Sequence, residues 1–349
     1  MKKVRIGIIG TGGISAKHIN ELLNCENAEI TALCDIDKEA LHKKAEKANV
    51  PACKCYTDYK KLIADPEVDA VEICTPNDLH AEMARAALAA GKPVNLEKPV
   101  ALNYKEALSI LEAEEKSNTF GMTCFSYRFK PAVRYAKHLV EQGTIGRILG
   151  LNVAYLKNSG LWQGRGLEWR FDKKRAGTGV LGDLGVHLID LAQLLSGPIL
   201  ELCATRQTLI KERPLLDGSG IGKVTTDDSC SFIVRFKDGA EGSFHITRCA
   251  IGHSNTIRYD VYGDRGAICF DLNDPTVLTV CRGEGDPKDY VSETVPVPQE
   301  FYLTQEQTFV NAVLGERAPL FPTLADGVQG QRVIDAILEA AEQGTWVTV

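Results

Sequence analysis

The chain lacks the long apolar run that a membrane-spanning helix requires, and its first residues lack the extended apolar stretch and small-residue cleavage site of a secretory leader. Both absences point to a cytoplasmic protein with no membrane partner. An excess of positive charge is also missing: 40 Lys and Arg face 46 Asp and Glu, for a formal net charge of -6. A mildly acidic protein repels phosphate backbones, so nucleic acid is not an expected partner. The 11 cysteines form no C-x-x-C pair. Cys53 and Cys55 stand alone as C-x-C with no second pair to complete a zinc set, so no metal is expected. Cys34, Cys74, Cys230 and Cys269 lie in apolar runs and read as buried free thiols of a reducing compartment. Internal repeats and low-complexity linkers are absent as well.

What is present suits two domains: 349 residues with an ordinary globular mixture of apolar and charged side chains. Short apolar runs at Val4–Ile9, Ile30–Cys34, Val68–Cys74, Pro93–Leu96 and Phe120–Phe125 read as buried parallel strands. Helical patterns at Ser15–Asn24, Asp37–Asn49, Leu79–Ala90 and Tyr104–Ser117 alternate with them, and Gly91 is placed to close the third. Such alternation predicts a doubly wound α/β sheet. After a helix over Pro131–Gln142 the rhythm changes. Long strands are expected at Ile148–Leu156, Ser229–Phe236, Ala240–Arg248, Asn255–Tyr262 and Ala267–Asp271, with hairpin turns at Lys237-Asp238-Gly239 and Gly263–Gly266. Helices return at Thr304–Leu314 and Ala325–Glu342. The expected division is a Rossmann domain over 1–125 and an α+β domain with a large, mostly antiparallel open sheet over 126–349.

Gly10-Thr11-Gly12-Gly13-Ile14-Ser15 follows the first strand and opens the first helix. It fits G-x-G-x-x-[G/A] with Ser15 in the third place. The first glycine permits the tight turn, the second lets the backbone approach a pyrophosphate, and the helix N-terminus turns amide N–H groups toward the phosphates. Asp35 ends the second strand, where its carboxylate would accept from the adenosine ribose hydroxyls and repel a 2'-phosphate. NAD is therefore favoured over NADP, with Gly10, Thr11, Gly12, Gly13, Ile14, Asp35 and Ile36 as contacts.

Three further segments stand out: Cys74-Thr75-Pro76-Asn77-Asp78-Leu79-His80, Glu97-Lys98-Pro99, and Gly179-Val180-Leu181-Gly182-Asp183-Leu184-Gly185-Val186-His187-Leu188-Ile189-Asp190. Together with the glycine turn, in this order and at these separations, they resemble the Gfo/Idh/MocA oxidoreductase family over nearly the whole chain. The resemblance implies a catalytic lysine in E-K-P, matched by Lys98 beside Glu97, with both residues as cofactor contacts, and a D-x-x-x-H pair matched by Asp183 and His187. It implies a loop at the nicotinamide side, matched by Thr75, Pro76, Asn77 and His80. It also implies dimers or tetramers formed through the open face of the second sheet.

The same residues carry the chemistry. Asp183 and His187 are four apart, which places both on one face of an α-helix. An imidazole near neutral pKa can take the proton of a secondary alcohol, and an ammonium at a strand end can stabilise the alkoxide. His18, by contrast, reads as a packing residue. Arg128, Trp162, Arg165 and Asp190 are candidate substrate contacts, and Trp169 and Arg170 candidate cofactor contacts. The family resemblance implies NAD-dependent oxidation of a ring secondary alcohol of a sugar, glycoside (often at C3) or inositol. One alternative is a redox glycosidase that oxidises the ring transiently and eliminates the aglycone. Another is a dinucleotide-sensing regulator without catalysis, against which Lys98, Asp183 and His187 argue.

Overall fold

The computed structural model describes residues 3–48, 50 and 53–349. The chain divides into two compact units, Met1–Ser126 with Leu303–Gln329, and Tyr127–Tyr302 with Gly330–Val349.

The first unit is built on six strands: β1 (Val4–Ile9), β2 (Ala28–Cys34), β3 (Lys54–Tyr56), β4 (Ala70–Ile73), β5 (Val94–Leu96) and β6 (Gly121–Thr123). Their order is β3-β2-β1-β4-β5-β6. Every neighbouring pair is parallel, the doubly wound arrangement that the alternating pattern predicts. The connecting helices are α1 (Ser15–Leu23), α2 (Lys38–Lys47), α3 (Tyr59–Ala64), α4 (His80–Ala89) and α5 (Tyr104–Glu115). The apolar strands are continuous because both faces are covered: Ile6, Ile8, Val71, Ile73, Val94 and Leu96 are fully buried. Each such side chain contributes about 1.5–3 kcal/mol of burial. Asp37 caps α2 by accepting from the Glu39 and Ala40 amides at 3.0 Å. The helix stops at Lys47, and the expected end at Asn49 lies outside the described residues. Neither β3 nor α3 is expected from the sequence.

The division at 125 assigns residues 303–329 to the second domain, whereas the structure groups them with the first. They run beside the edge strand. Thr123 donates its amide to the Pro322 carbonyl and its hydroxyl to that of Thr323, both at 2.9 Å. Phe120 meets Phe309 and Phe321 edge-on, with centroids 6.3 and 5.9 Å away.

The second unit contains β7 (Ile148–Leu156), β8 (Ile199–Gln207), β9 (Glu212–Pro214), β10 (Ile221–Lys223), β11 (Ser229–Phe236) and β12 (Glu241–Thr247). It continues through β13 (Thr256–Gly263), β14 (Gly266–Asp271), β15 (Val277–Arg282), β16 (Val291–Pro296) and β17 (Val347–Thr348). Nine of these form one sheet in the order β16-β15-β14-β13-β7-β12-β11-β8-β17, while β9 and β10 pair separately. All pairs in the large sheet are antiparallel except β7 with β12. Cys230, Phe232, Val234 and Phe236 alternate inward along β11. Cys269 on β14, read from sequence as buried, is only half-buried.

Among the described residues this unit contains the helices α6 (Pro131–Glu141), α7 (Lys173–Ala176) and α8 (Val186–Ser196) and the greater part of the last helix, α10 (Leu324–Gln343), whereas α9 (Gln305–Val313) belongs to the first unit. The stretch Lys173–Ser196 is apolar and long enough to cross a membrane by composition, contrary to the sequence reading. Yet 83% of its apolar window is buried inside the protein, as a core helix requires.

Candidate functional site

In the first unit the candidates gather at the C-terminal ends of the strands, where open parallel sheets bind ligands. Gly10 has φ +90, and a Cβ there would stand 2.8 Å from the Cys74 carbonyl carbon and oxygen. Its amide donates to the Cys34 carbonyl at 2.8 Å. The turn after β1 is thus wedged between the ends of β2 and β4, and only glycine fits. At Gly12 and Gly13 a Cβ would meet nothing within 4 Å. No side chain caps α1. Bare backbone and uncapped amides at a helix N-terminus fit a pyrophosphate. Ser15 meets the packing demand of the third position: it is fully buried, and its hydroxyl donates to the Gly12 carbonyl at 2.8 Å.

One oxygen of Asp35 accepts from the Thr11 amide and hydroxyl at 2.7 and 2.8 Å, and the other from the Asp37 amide at 3.2 Å. An ionised carboxylate offers about four acceptor positions, so a ribose diol would share this one with the turn. Ile14, in the glycine turn, is 37% exposed and Ile36, next to Asp35, is 92% exposed, apolar side chains left open to a flat ring.

The loop after β4 carries Thr75, Pro76 and Asn77, and the loop after β5 carries Glu97, Lys98 and Pro99. His80, expected at the cofactor, instead joins these two loops. Its Nδ1 lies 2.8 Å from the Pro99 carbonyl and its Nε2 2.9 Å from that of Thr75. Burial lowers its pKa against the pull of both carbonyls. Glu97, also expected at the cofactor, turns its carboxylate inward. Oε1 takes the Nε2 of His18 at 2.9 Å, and Oε2 the Lys98 amide at 3.1 Å.

In the second unit Asp183 and His187 do not share a plain α-helix. Leu181–Gly185 is a π-helical turn that leads into α8, so the expected α-helical spacing is widened at Asp183. The backbone approaches its neighbours closely here. A Cβ on Gly179 would sit 1.9 Å from the Asp227 carbonyl oxygen, and one on Gly185 2.8 Å from Ile246. Asp227 accepts from the Gly179 and Leu181 amides at 2.8 and 3.0 Å, and the Thr178 hydroxyl from the Gly182 amide at 2.8 Å. Asp183 pairs with Arg248 at 3.4 Å and with Arg170 at 3.8 Å. The buried imidazole of His187 lies against Tyr127, centroids 4.3 Å apart at 34°. The Tyr127 hydroxyl is 2.7 Å from that of Tyr155, which donates to Asn255 at 3.1 Å. Burial raises both phenol pKa values, so both hydroxyls keep their protons.

Arg128 and Asp190, each expected to meet substrate, satisfy one another. Nε of Arg128 donates to both carboxylate oxygens at 2.8 and 3.1 Å, and both side chains are buried. Arg165 is held by Glu168 at 3.1 Å and by the Ser159 carbonyl at 3.0 Å, with its guanidinium over Phe171. Arg170 lies over the Trp169 ring at 4.4 Å. Trp162 is 60% exposed and donates to Asn158 at 3.2 Å. The sequence reading missed Asp227 as a cap, Arg248 as the partner of Asp183, and Tyr155 behind Tyr127. An acid doubled as Asp227-Asp228 just before a strand was the available signal.

Residues 4–123 match an oxidoreductase family with an NAD-binding Rossmann fold, and residues 133–269 match the GFO/IDH/MocA C-terminal domain. The chain belongs to the Gfo/Idh/MocA oxidoreductase family. As a Gfo/Idh/MocA member it is an NAD-dependent oxidoreductase. Among its relatives is a levoglucosan dehydrogenase from Pseudarthrobacter phenanthrenivorans, 35% identical over 84% of this chain and 83% of the relative. A myo-inositol 2-dehydrogenase from Thermotoga maritima is 29% identical over 90% of each chain. A levoglucosan dehydrogenase structure in complex with NADH and L-sorbose superposes with a TM-score of 0.92 at 31% identity, covering 99% of both chains.

Proposed function

We propose that this chain oxidises a secondary ring hydroxyl of a sugar or cyclitol, delivering the hydride to NAD. The observation that carries the reading is the His187 imidazole, buried against Tyr127 and reached through a π-helical turn that also bears Asp183. Turns of this kind cluster at functional sites. The named relatives act on levoglucosan and myo-inositol and are dehydrogenases, which favours net hydride transfer over transient oxidation followed by elimination.

A bound nicotinamide would supply the hydride acceptor for the carbinol carbon. His187 takes the hydroxyl proton as general base. Lys98 stabilises the developing alkoxide with its ammonium. Asp183, anchored by Arg248 and Arg170, orients the substrate or tunes His187. Gly10, Thr11, Gly12, Gly13, Ile14, Asp35 and Ile36 hold the dinucleotide, with Thr75, Pro76, Asn77, Trp169 and Arg170 as further contacts. Trp162 and Arg165 lie on the loop proposed to face the sugar. The same reading takes the chain as a homodimer or homotetramer joined through the outer face of the nine-stranded sheet, where Ile233 and Tyr262 are exposed. It places the protein in the cytoplasm, in keeping with 11 unpaired cysteines.

The test is a panel of levoglucosan, myo-inositol, glucose 6-phosphate and a chromogenic glycoside, read for NADH and for released aglycone. Stoichiometric NADH from a sugar or cyclitol is expected. Aglycone release without NADH would instead select the eliminating glycosidase.

A further inference from the structure

His18 sits one turn into α1, fully buried among acids. Its Nδ1 reaches Glu72 at 2.9 Å and Glu306 at 3.1 Å, while Nε2 reaches Glu97 at 2.9 Å. Asn95 donates to Glu306 at 2.9 Å and to Glu72 at 3.3 Å, and Gln305 donates to Glu306 at 2.8 Å. Glu72, Asn95 and Glu306 are each 0% exposed. Three carboxyl groups on one imidazole form a costly cluster unless every lone pair is answered and charge is balanced by protons. Cys74 and Cys124 bring further donor atoms close; Cys124 donates to Asn95 at 3.0 Å, and His18, Asn95 and the carboxyl groups are already engaged with one another by hydrogen bonds. Such a network is fixed in one arrangement, and Glu97 is its outlet toward the loop after β5.

We propose that His18 is a positioning residue for Lys98, acting through Glu97. The proposal rests on the reading of Lys98 as a catalytic residue. One oxygen of Glu97 is committed to the imidazole and the other to the backbone amide of Lys98. The carboxylate is thereby a rigid strut between α1, whose first residue closes the glycine turn, and the peptide that carries the lysine. His18 supplies the counter-charge that a buried carboxylate needs. Without it, Glu97 would seek the ammonium of its neighbour Lys98 or take up a proton, and either change moves the lysine from its working position. Burial works to lower the pKa of His18, but Cys74, Glu306 and Glu72 around it outweigh that and hold it well above the usual histidine value. The imidazole then donates from both nitrogens, as its partners require.

The test uses the full chain with Glu97→Gln, His18→Leu, His18→Gln and Lys98→Met, and the double variant His18→Leu/Lys98→Met. Turnover is measured with the panel sugar that the parent oxidises fastest and is scaled to the number of NAD-binding sites. Glu97→Gln keeps the side-chain size but leaves one acceptor oxygen for two donors. It should lower kcat roughly tenfold or more while the Kd for NAD and the KM for the sugar change by less than about threefold. His18→Gln, which retains an N–H toward Glu97, should keep more activity than His18→Leu. In the Lys98→Met background, His18→Leu should cost less than about twofold further, because its effect already runs through the lysine. Losses that multiply in the double variant would overturn the proposal, as would unchanged kcat per site in Glu97→Gln. Parental turnover in Lys98→Met would instead defeat the catalytic reading of the lysine and this inference with it. Should His18→Leu fail to fold, Glu97→Gln and His18→Gln carry the comparison.

Discussion

In the first unit the lysine loop is anchored by buried charge, whereas in the second the histidine turn is anchored by backbone capping, close-packed glycines and ring stacking. Glu97 holds the Lys98 amide and is itself held by Nε2 of His18, whose Nδ1 is held in turn by Glu72 and Glu306. His187 is set by a π-helical turn that Asp227 caps and by the face of Tyr127. The first construction answers to protons and to changes that preserve shape but alter hydrogen bonding. The second answers to added atoms, since a gap of 1.9 Å at Gly179 leaves no room for a methyl group. Two positions proposed for one reaction therefore have different weaknesses, and each can be attacked without the other.

The largest effect is expected at the imidazole. His187→Ala should reduce kcat by roughly 100- to 10,000-fold, the range for loss of a general base, with NAD affinity retained. Steady-state NADH formation alongside calorimetric titration of NAD checks this. Next, Gly179→Ala should destabilise the second unit by about 1–3 kcal/mol or more, because the new Cβ must displace the Asp227 backbone. Urea unfolding measures it, and a fully stable variant would show that the turn is not held by close approach. Asp35→Ala should weaken NAD about tenfold, near 1.4 kcal/mol, without weakening NADP, and so narrow the preference between them.

The smallest effect is a pH slope confined to the first unit. Burial and the adjacent Glu306 push Glu72 well above the ordinary glutamate value of 4.5. As pH rises past that value the unfolded chain ionises Glu72 while the folded chain keeps it protonated. Stability is therefore full below 4.5 and lost as pH climbs toward the folded value. His18, also raised, acts in the same direction above 6.5. Glu306, lowered to about 2, and Glu97, also lowered, contribute stability that disappears only on acidification. Glu72 should therefore make Tm decline between about pH 4.5 and 8, and Glu72→Gln should flatten that decline by a few degrees. An unchanged slope would remove Glu72 from the account.

Much of this was legible in the residues. Strands at Ile148–Leu156 and Ser229–Phe236 are read to the residue, because alternation on a half-buried sheet is a strong local signal. The glycine turn was legible because its geometry is dictated by neighbours close in the chain. Partnerships were not. Arg128 and Asp190 each read as a free-standing polar residue, yet they face one another across 62 positions. Residues 303–329 return to the first unit through contacts some 200 positions apart, which no local pattern marks. The interior network did leave traces, since Glu72 and Asn95 interrupt otherwise apolar strands. A polar residue at such a position must find a buried partner. The π-helical turn has no comparable trace, because the sequence Leu181–Gly185 satisfies an α-helical pattern equally well.

The most direct measurement is the fate of the ring hydrogen. With levoglucosan, myo-inositol and glucose 6-phosphate in turn, each deuterated at its ring carbinol carbons, the account predicts that at least one yields one NADH per molecule consumed, with deuterium on the nicotinamide. If NAD binds while none of these sugars gives NADH, the account is contradicted.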